Sequence, residues 1–127
     1  MNNNELSEKL KQLKIEDFIW LIYLGIIFLS WYSNSLERKY FVTGDAISKE
    51  KYREIIIFIF SILVVVYLYF LKDSIDSINN LKPWDSQKKK DLTYLSFISS
   101  LLIAISGLIF LYIAFEDKDI NVELAFN

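Results

Sequence analysis

The stretch from Leu92 to Phe115 constrains this chain more than any other part of it. It contains 24 consecutive residues without a charge, LTYLSFISSLLIAISGLIFLYIAF, with charged runs at 88–91 and 116–119 on either side. A helix of this length extends about 36 Å, which is enough to cross a hydrocarbon core of about 30 Å. The sequence therefore predicts a membrane-spanning helix over this stretch.

Two further uncharged runs, 18–36 and 55–71, have the same character. Hydrophobic residues make up 54% of the chain, and the charged residues, 24%, lie almost entirely outside the three runs. This segregation is typical of an integral membrane protein. We predict an all-α fold for residues 1–127, a single membrane domain with three transmembrane helices at about 18–36, 55–71 and 92–115. The second run is apolar all round, and we expect its helix to be the most lipid-exposed.

The segments outside the runs have their own patterns. Residues 1–17 predict a short amphipathic helix, lying on the membrane surface or packed on the cytoplasmic loops of the bundle. The second helix continues past the membrane to about residue 80, which gives helices two and three a cytoplasmic extension broken near Pro83. Thr43-Gly44-Asp45 predicts a turn, Ser48 an N-cap, and Asp85 or Ser86 the cap of the third helix. The tail, 116–127, alternates in a strand-like way and carries apolar residues that favour docking on the protein.

Basic residues indicate the orientation. Eight Lys and Arg lie on the side of the N-terminus and of residues 72–91, against six on the other side. The positive-inside rule then predicts a multi-pass protein of the cell membrane, with its N-terminus cytoplasmic and its C-terminus outside. We expect lipid headgroup contacts from six residues: Lys88, Lys89, Lys90, Trp20, Trp31 and Trp84. Trp84 has a second interpretation, which we favour, as a plug between helices two and three.

The third helix carries small and hydroxyl-bearing residues along one side. At about 100° per residue, a single arc holds Thr93, Ser96, Ser99, Ser100, Ala104, Ser106 and Gly107. In lipid, close backbone approach past small residues and hydroxyl hydrogen bonds hold helices together. This face predicts helix packing or a pore lining. It either packs on the chain's own helices or forms a self-association seam, which could also wall a narrow wet path between subunits.

Missing residue types narrow the chemistry. The chain has no Cys and no His, so thiolate sites and His-dependent catalysis are excluded. No charge lies inside a predicted span, which disfavours proton relays and ion-coupled transporters. No segment is basic enough for nucleic-acid binding. We therefore expect a protein that is not an enzyme and that binds no metal, cofactor or nucleic acid. The acidic tail is better explained as a solvated rim than as a cation site.

Two functional hypotheses remain. The first is a homo-oligomer in the lipid bilayer, assembled through the third helix, that forms a channel or pore or acts as a membrane-disrupting effector. Rings of hydroxyls with apolar constrictions at Ile103 and Phe110 would suit a gated pore. The alternative is a non-catalytic membrane adaptor or subunit that binds a partner protein. A partner protein or an activating ligand is compatible with either. In architecture alone, the layout resembles small multi-span bacterial proteins, including membrane effectors encoded in anti-phage operons.

Overall fold

A computed structural model describes residues 2–124 and contains three helices. They are α1 (Asn3–Thr43), α2 (Ala46–Asn79) and α3 (Gln87–Glu116), and no strand occurs among the described residues. The short connections at 44–45 and 80–86 fold the helices back on one another as two successive antiparallel hairpins. The predicted all-helical fold is confirmed for this part of the chain.

Helix α2 lies at the centre of the molecule. Both α1 and α3 pack on it, whereas the backbones of α1 and α3 do not approach each other within residues 2–124. The largest fully buried apolar side chains are Ile59, Phe60 and Leu63, all on α2. The prediction that this helix would be the most lipid-exposed is therefore wrong. A helix that is apolar all round suits a buried position between two neighbours as well as it suits lipid.

Helix α1 is one continuous helix of 41 residues, about 62 Å long. A capping box between Asn2 and Glu5 begins it, and a buried stripe at Ile19, Ile26 and Ser33 runs along the side that faces α2. Residues 3–17 thus continue into the first apolar run and do not form a separate amphipathic helix. The Gln12 amide donates a hydrogen bond to Asp73 of α2 over 2.8 Å, which joins this segment to α2, while its apolar residues Leu6, Leu10 and Leu13 are exposed.

The turn between α1 and α2 lies where Thr43-Gly44-Asp45 predicted it. Gly44 adopts the left-handed conformation, with φ of 70°, and its N–H donates to the Tyr40 carbonyl. The N-cap of α2 is Asp45, so the prediction of Ser48 is wrong. Asp45 is the cap because it follows the glycine directly and its carboxylate accepts the free N–H of Ile47. The Ser48 hydroxyl donates to the same carboxylate over 2.7 Å.

The turn before α3 resolves the choice between two predicted caps. Ser86 is the N-cap and accepts a hydrogen bond from the backbone N–H of Lys89 over 3.1 Å. The Asp85 carboxylate accepts from the N–H of Lys82 over 2.7 Å and so closes the turn itself. Together these bonds set the direction in which α3 leaves the turn and returns along α2.

Residues 117–124 dock on the end of the bundle without forming a strand. The Asp117 carboxylate accepts the N–H groups of Asn121 and Val122 over 2.9 and 2.8 Å, which folds the segment back. Leu124 is buried, and Lys49 of α2 pairs with Asp119 over 2.9 Å. The docking that the apolar tail predicted is thus present as far as Leu124. Residues 125–127, which include the last apolar position of the pattern, lie outside the described residues.

Two of the three helices, α2 and α3, are long and apolar enough to cross a membrane. This criterion rests on length and composition, and it supports a membrane location weakly. It does not confirm the predicted first span at 18–36. The structure therefore shows a helical bundle with two candidate membrane-spanning helices.

Candidate binding cleft

Towards the end of the bundle that carries the 80–86 connection, the space between α1 and α3 is not filled. A cavity of about 260 Å³ lies there over α2. We call it the hydroxyl cleft, and all three helices line it: Tyr23, Tyr67, Phe70, Asp73, Ser74, Ser77, Ser96, Ser100 and Ile103.

Helical spacing explains how α2 supplies the floor of this cleft. Phe70, Ser74 and Ser77 recur at intervals of four and three residues, so they share one side of the helix. The Ser74 hydroxyl donates to the Leu71 carbonyl over 2.7 Å, and the Ser77 hydroxyl donates to the Asp73 carbonyl over 3.1 Å. Both hydroxyl protons are therefore used within α2. What these two serines offer to the cleft is oxygen lone pairs, which accept hydrogen bonds.

Asp73 adds a carboxylate to the same wall. It is half-buried, and its Oδ1 accepts the hydrogen bond from the Gln12 amide. Among residues 2–124, Asp73 forms no ion pair, and its Oδ2 accepts no hydrogen bond from another residue. Tyr23 and Tyr67 place two aromatic rings on the lining beside it. The cleft thus combines an unpaired carboxylate, hydroxyl acceptors and aromatic surface.

A second cavity, of about 470 Å³, adjoins the cleft and shares Ser77 and Ser96 with it. It lies nearer the 80–86 connection, and its other lining residues are Ser86, Lys88, Lys89, Leu92 and Thr93. Lys89 pairs with Asp85 over 3.3 Å, so its charge is partly balanced. Lys88 and Lys89 make the outer cavity basic, whereas the hydroxyl cleft carries the carboxylate of Asp73.

The predicted small-residue face of α3 is divided between different environments. Ala104 and Gly107 are buried against α2, and a Cβ added to Gly107 would lie 2.8 Å from Cδ2 of Tyr67. Thr93 and Ser100 are half-buried on the two cavities. Of the two predicted roles of this face, packing on the chain's own helices therefore holds for Ala104 and Gly107.

Three serines of that face remain exposed on one flank of α3: Ser96, Ser99 and Ser106. With Ile103, which is also exposed, they form a narrow strip that we call the serine edge. The Ser99 hydroxyl donates to the Leu95 carbonyl of its own helix over 3.0 Å. The serine edge borders the hydroxyl cleft, because Ser96 and Ile103 belong to both.

The residues expected at lipid headgroups lie on the surface. Trp20 and Trp31 are 69% and 74% exposed, and Trp84 is 80% exposed, so the favoured interpretation of Trp84 as a plug between two helices is wrong. The turn around Pro83 points this side chain away from the bundle. Lys88 and Lys89 are exposed, and Lys90 donates a hydrogen bond to the Pro83 carbonyl over 3.2 Å.

Sequence reasoning missed the α2 side of the cleft. The sequence places Asp73 among the polar positions of the helix extension beyond the membrane, and it assigns no role to Ser74 or Ser77. A signal for them was present, because Phe70, Ser74 and Ser77 share one side of the helix at spacings of four and three residues, and Ser74 is buried there. Tyr23 lies in the first apolar run and Tyr67 in the second, and neither position in the sequence indicates a shared cavity.

Comparison of the chain with family models, with curated proteins and with solved structures finds no match. The described residues also bring together no group of three or more Asp or Glu that could hold a metal ion. In the acidic tail, Asp117 binds backbone N–H groups and Asp119 pairs with Lys49. The interpretation of the molecule therefore depends on its own geometry.

Proposed function

We propose that the chain is a three-span membrane protein in which α1 crosses the bilayer beside α2. The contact between Gln12 and Asp73 lies at one end of the α1–α2 hairpin, and the turn at Gly44 lies at the other. Between these points the uncharged run 18–36 lies level with the uncharged run 55–71. A bilayer that accommodates α2 therefore meets an apolar surface on α1 at the same depth. The basic residues favour an N-terminus in the cytoplasm and a C-terminus outside.

Labelling of single cysteines tests this threading, because the chain contains no native Cys. Ser7→Cys, Val42→Cys and Gln87→Cys each place a thiol at an exposed position. With a membrane-impermeant maleimide on intact cells, we expect Val42→Cys to react and the other two to react only after lysis. Labelling of both Ser7→Cys and Val42→Cys from outside would exclude the crossing by α1, whereas the inverse pattern at all three positions would reverse the orientation.

We further propose that the protein is non-catalytic and self-assembles through the serine edge. The observation that carries this proposal is the exposure of Ser99 and Ser106, seven residues apart on a helix face turned away from α2. In a membrane, hydroxyls on an exposed face favour contact with another helix over contact with lipid tails. Further copies of α3, arranged around an axis along the membrane normal, offer the same hydroxyls at the same spacing, so each serine edge can contact those of its neighbours.

Around a closed ring of such contacts, hydroxyls would alternate with the apolar side chain of Ile103. This arrangement is suited to a narrow, gated channel or to a membrane-disrupting effector of the kind found in bacterial anti-phage defence. The buried pair Ala104 and Gly107 would keep α3 fixed on α2 within each subunit, so the edge would be presented by a rigid helix.

Mass measurement in lipid nanodiscs tests the assembly. We expect several copies per particle for the wild type and one copy for Ser99→Leu with Ser106→Leu, because leucine removes the hydroxyls and adds bulk at the contact. Leu101→Ile with Leu108→Ile, on the opposite exposed flank of α3, is the matched control and should assemble as the wild type does. A wild-type monomer would refute the proposal. If the wild type assembles, release of dye from liposomes tests for a pore. We expect release with the wild type and none with the serine double variant.

One observation favours the alternative of an adaptor that binds a partner protein. Trp84 stands 80% exposed at the tip of the 80–86 connection, and exposed tryptophans are frequent anchors of protein interfaces. Under this alternative, Trp84→Ala should abolish recovery of a defined partner in a detergent pull-down while leaving the assembly state unchanged. If Trp84→Ala recovers the same proteins as the wild type, the adaptor hypothesis loses its support.

A further inference from the structure

We propose that the hydroxyl cleft binds a primary ammonium group, carried either by the headgroup of an aminophospholipid or by a free small amine. The proposal does not depend on self-assembly, because all lining residues come from one chain. It commits to the chemistry of the bound group, and the experiment below separates the two sources.

Three groups on the α2 wall of the cleft act as hydrogen-bond acceptors towards a ligand. Ser74 and Ser77 have used their hydroxyl protons on carbonyls of α2, so both can only accept from a ligand. Oδ2 of Asp73 is a third acceptor without a partner among residues 2–124. A primary ammonium group has three N–H donors and no acceptor, which matches this set. An anion would be repelled by the Asp73 carboxylate, whereas the hydroxyls of the other lining residues, Ser96, Ser100, Tyr23 and Tyr67, can accept from an ammonium as well as donate.

The charge and the aromatic lining favour a cation as well. Asp73 is half-buried and forms no ion pair within 4 Å among residues 2–124, although Lys9 of α1 is near enough to act on it electrostatically. A bound ammonium would contact directly a carboxylate that now lies partly out of water. The rings of Tyr23 and Tyr67 line the same space and can interact with a cation through their faces. A volume of about 260 Å³ is below the range usual for drug-sized ligands, so the group must be small.

The position of the cleft suits a lipid headgroup. Its inner end, at Ile103 and Tyr67, lies level with the apolar runs, and its outer end, at Asp73 and Ser77, lies just beyond the run 55–71 of α2. An aminophospholipid also carries a phosphate, and Lys88 lines the adjoining outer cavity that shares Ser77 and Ser96 with the cleft. The basic outer end thus complements the phosphate, while the carboxylate complements the ammonium.

Native mass spectrometry of the full chain tests the proposal with a matched pair of lipids. Phosphatidylethanolamine and phosphatidylcholine carry the same charges, but only the former has ammonium N–H donors. From equal mixtures of the two, we expect the wild type to retain phosphatidylethanolamine about tenfold more than phosphatidylcholine, the size of effect usual for hydrogen bonds to a charged group. Equal retention by the wild type would overturn the proposal.

Variants locate the preference. Asp73→Asn keeps the shape of the side chain and should remove the preference, and Ser77→Ala, which deletes one acceptor at an exposed position, should reduce it. Asp76→Asn makes the same charge change three residues further along α2, at an exposed position outside the lining, and should retain it. If Asp73→Asn and Asp76→Asn behave alike, the site assigned to the cleft is wrong.

Addition of millimolar ethanolamine then identifies the source. Displacement of the retained lipid would support the cleft as a site for free amines, whereas undiminished lipid retention would support the headgroup as the bound form. Because the assembly test uses variants on the serine edge and a different measurement, failure of either proposal can be recognised without reference to the other.

Discussion

Replacement of Gly107 by alanine tests the closest approach between α3 and α2. A Cβ at this position would lie 2.8 and 3.1 Å from two ring atoms of Tyr67 and 3.5 Å from Cγ2 of Val64. Carbon atoms in favourable contact are about 3.5–4.0 Å apart, so the ring must shift by about 0.7 Å or the helices must separate. Overpacking of this kind costs about 1–3 kcal/mol. Because Tyr67 lines the hydroxyl cleft and can turn towards it, we expect a cost of about 1–2 kcal/mol.

A second glycine provides the control for helix propensity. Gly25 also lies inside a helix, but an added Cβ there meets nothing within 4 Å. Both substitutions gain about 1 kcal/mol of helix propensity, so the difference between them isolates the packing cost at Gly107. The free energies of unfolding can be compared from denaturation in detergent micelles, followed by far-ultraviolet circular dichroism. We expect Gly107→Ala to be less stable than Gly25→Ala by the packing cost.

A double-mutant cycle assigns the cost to the tyrosine ring. In a Tyr67→Leu background the two ring atoms are absent, and Gly107→Ala should approach the stability change of Gly25→Ala. Equal stability of the two alanine variants in the wild-type background would refute the reasoning. A difference that persists without the ring would show that the helices meet elsewhere than at Tyr67.

Two further predictions concern the ends of the helices. Asp45→Ala should lower the free energy of unfolding by about 1 kcal/mol, because α2 loses its N-cap. As a control, Asp76→Ala, at an exposed position inside the same helix, should change the free energy of unfolding by less than about 0.5 kcal/mol. The same micelle assay measures both. The backbone N–H groups of Asn121 and Val122 hold the pKa of Asp117 below its ordinary value of 3.8. A lowered folded-state pKa stabilises the docked tail above pH 3.8, and this contribution is lost as the pH falls through the lowered value. Amide exchange at Asn121 and Val122 can be expressed as a protection factor, the intrinsic exchange rate at each pH divided by the measured rate. These protection factors should fall in acid in the wild type and should be low throughout that range in Asp117→Asn; a wild type whose protection survives full protonation would contradict this.

The helices were predictable because their signals are long and repeated. The apolar runs are bounded by charges, and Thr43-Gly44-Asp45 and Pro83 interrupt the pattern where helices cannot continue. The N-cap at Ser48 was misplaced because a serine and a following acid formed a plausible signal three residues inside the helix. Asp45 has precedence because Gly44 alone can take the left-handed conformation that ends α1, which leaves the next residue to begin α2.

The order of burial was not predictable from composition. The run 55–71 of α2 is made almost entirely of Ile, Leu, Val and Phe, so it has no polar side from which its partners can be inferred. Helix α2 is central because it is the middle element of two hairpins, and both short connections return their helices to it. Topology therefore decides which apolar surface is covered, and hydropathy alone gives no information about it.

The small-residue face of α3 shows why a single pattern on a helix can serve two purposes. Ala104 and Gly107 point at α2, where a missing side chain allows the backbones to approach. Ser99 and Ser106 lie about 100° further round the helix, so no rotation of α3 can place all four against one neighbour. A face as wide as this one exceeds the contact that one helix can make, and its uncovered part borders the hydroxyl cleft. The contact of Ala104 and Gly107 with α2 thereby fixes the orientation of the serine edge and of one wall of the cleft. Because Tyr67 both contacts Gly107 and lines the cleft, Gly107→Ala should alter the binding of an amine as well as the stability of the fold.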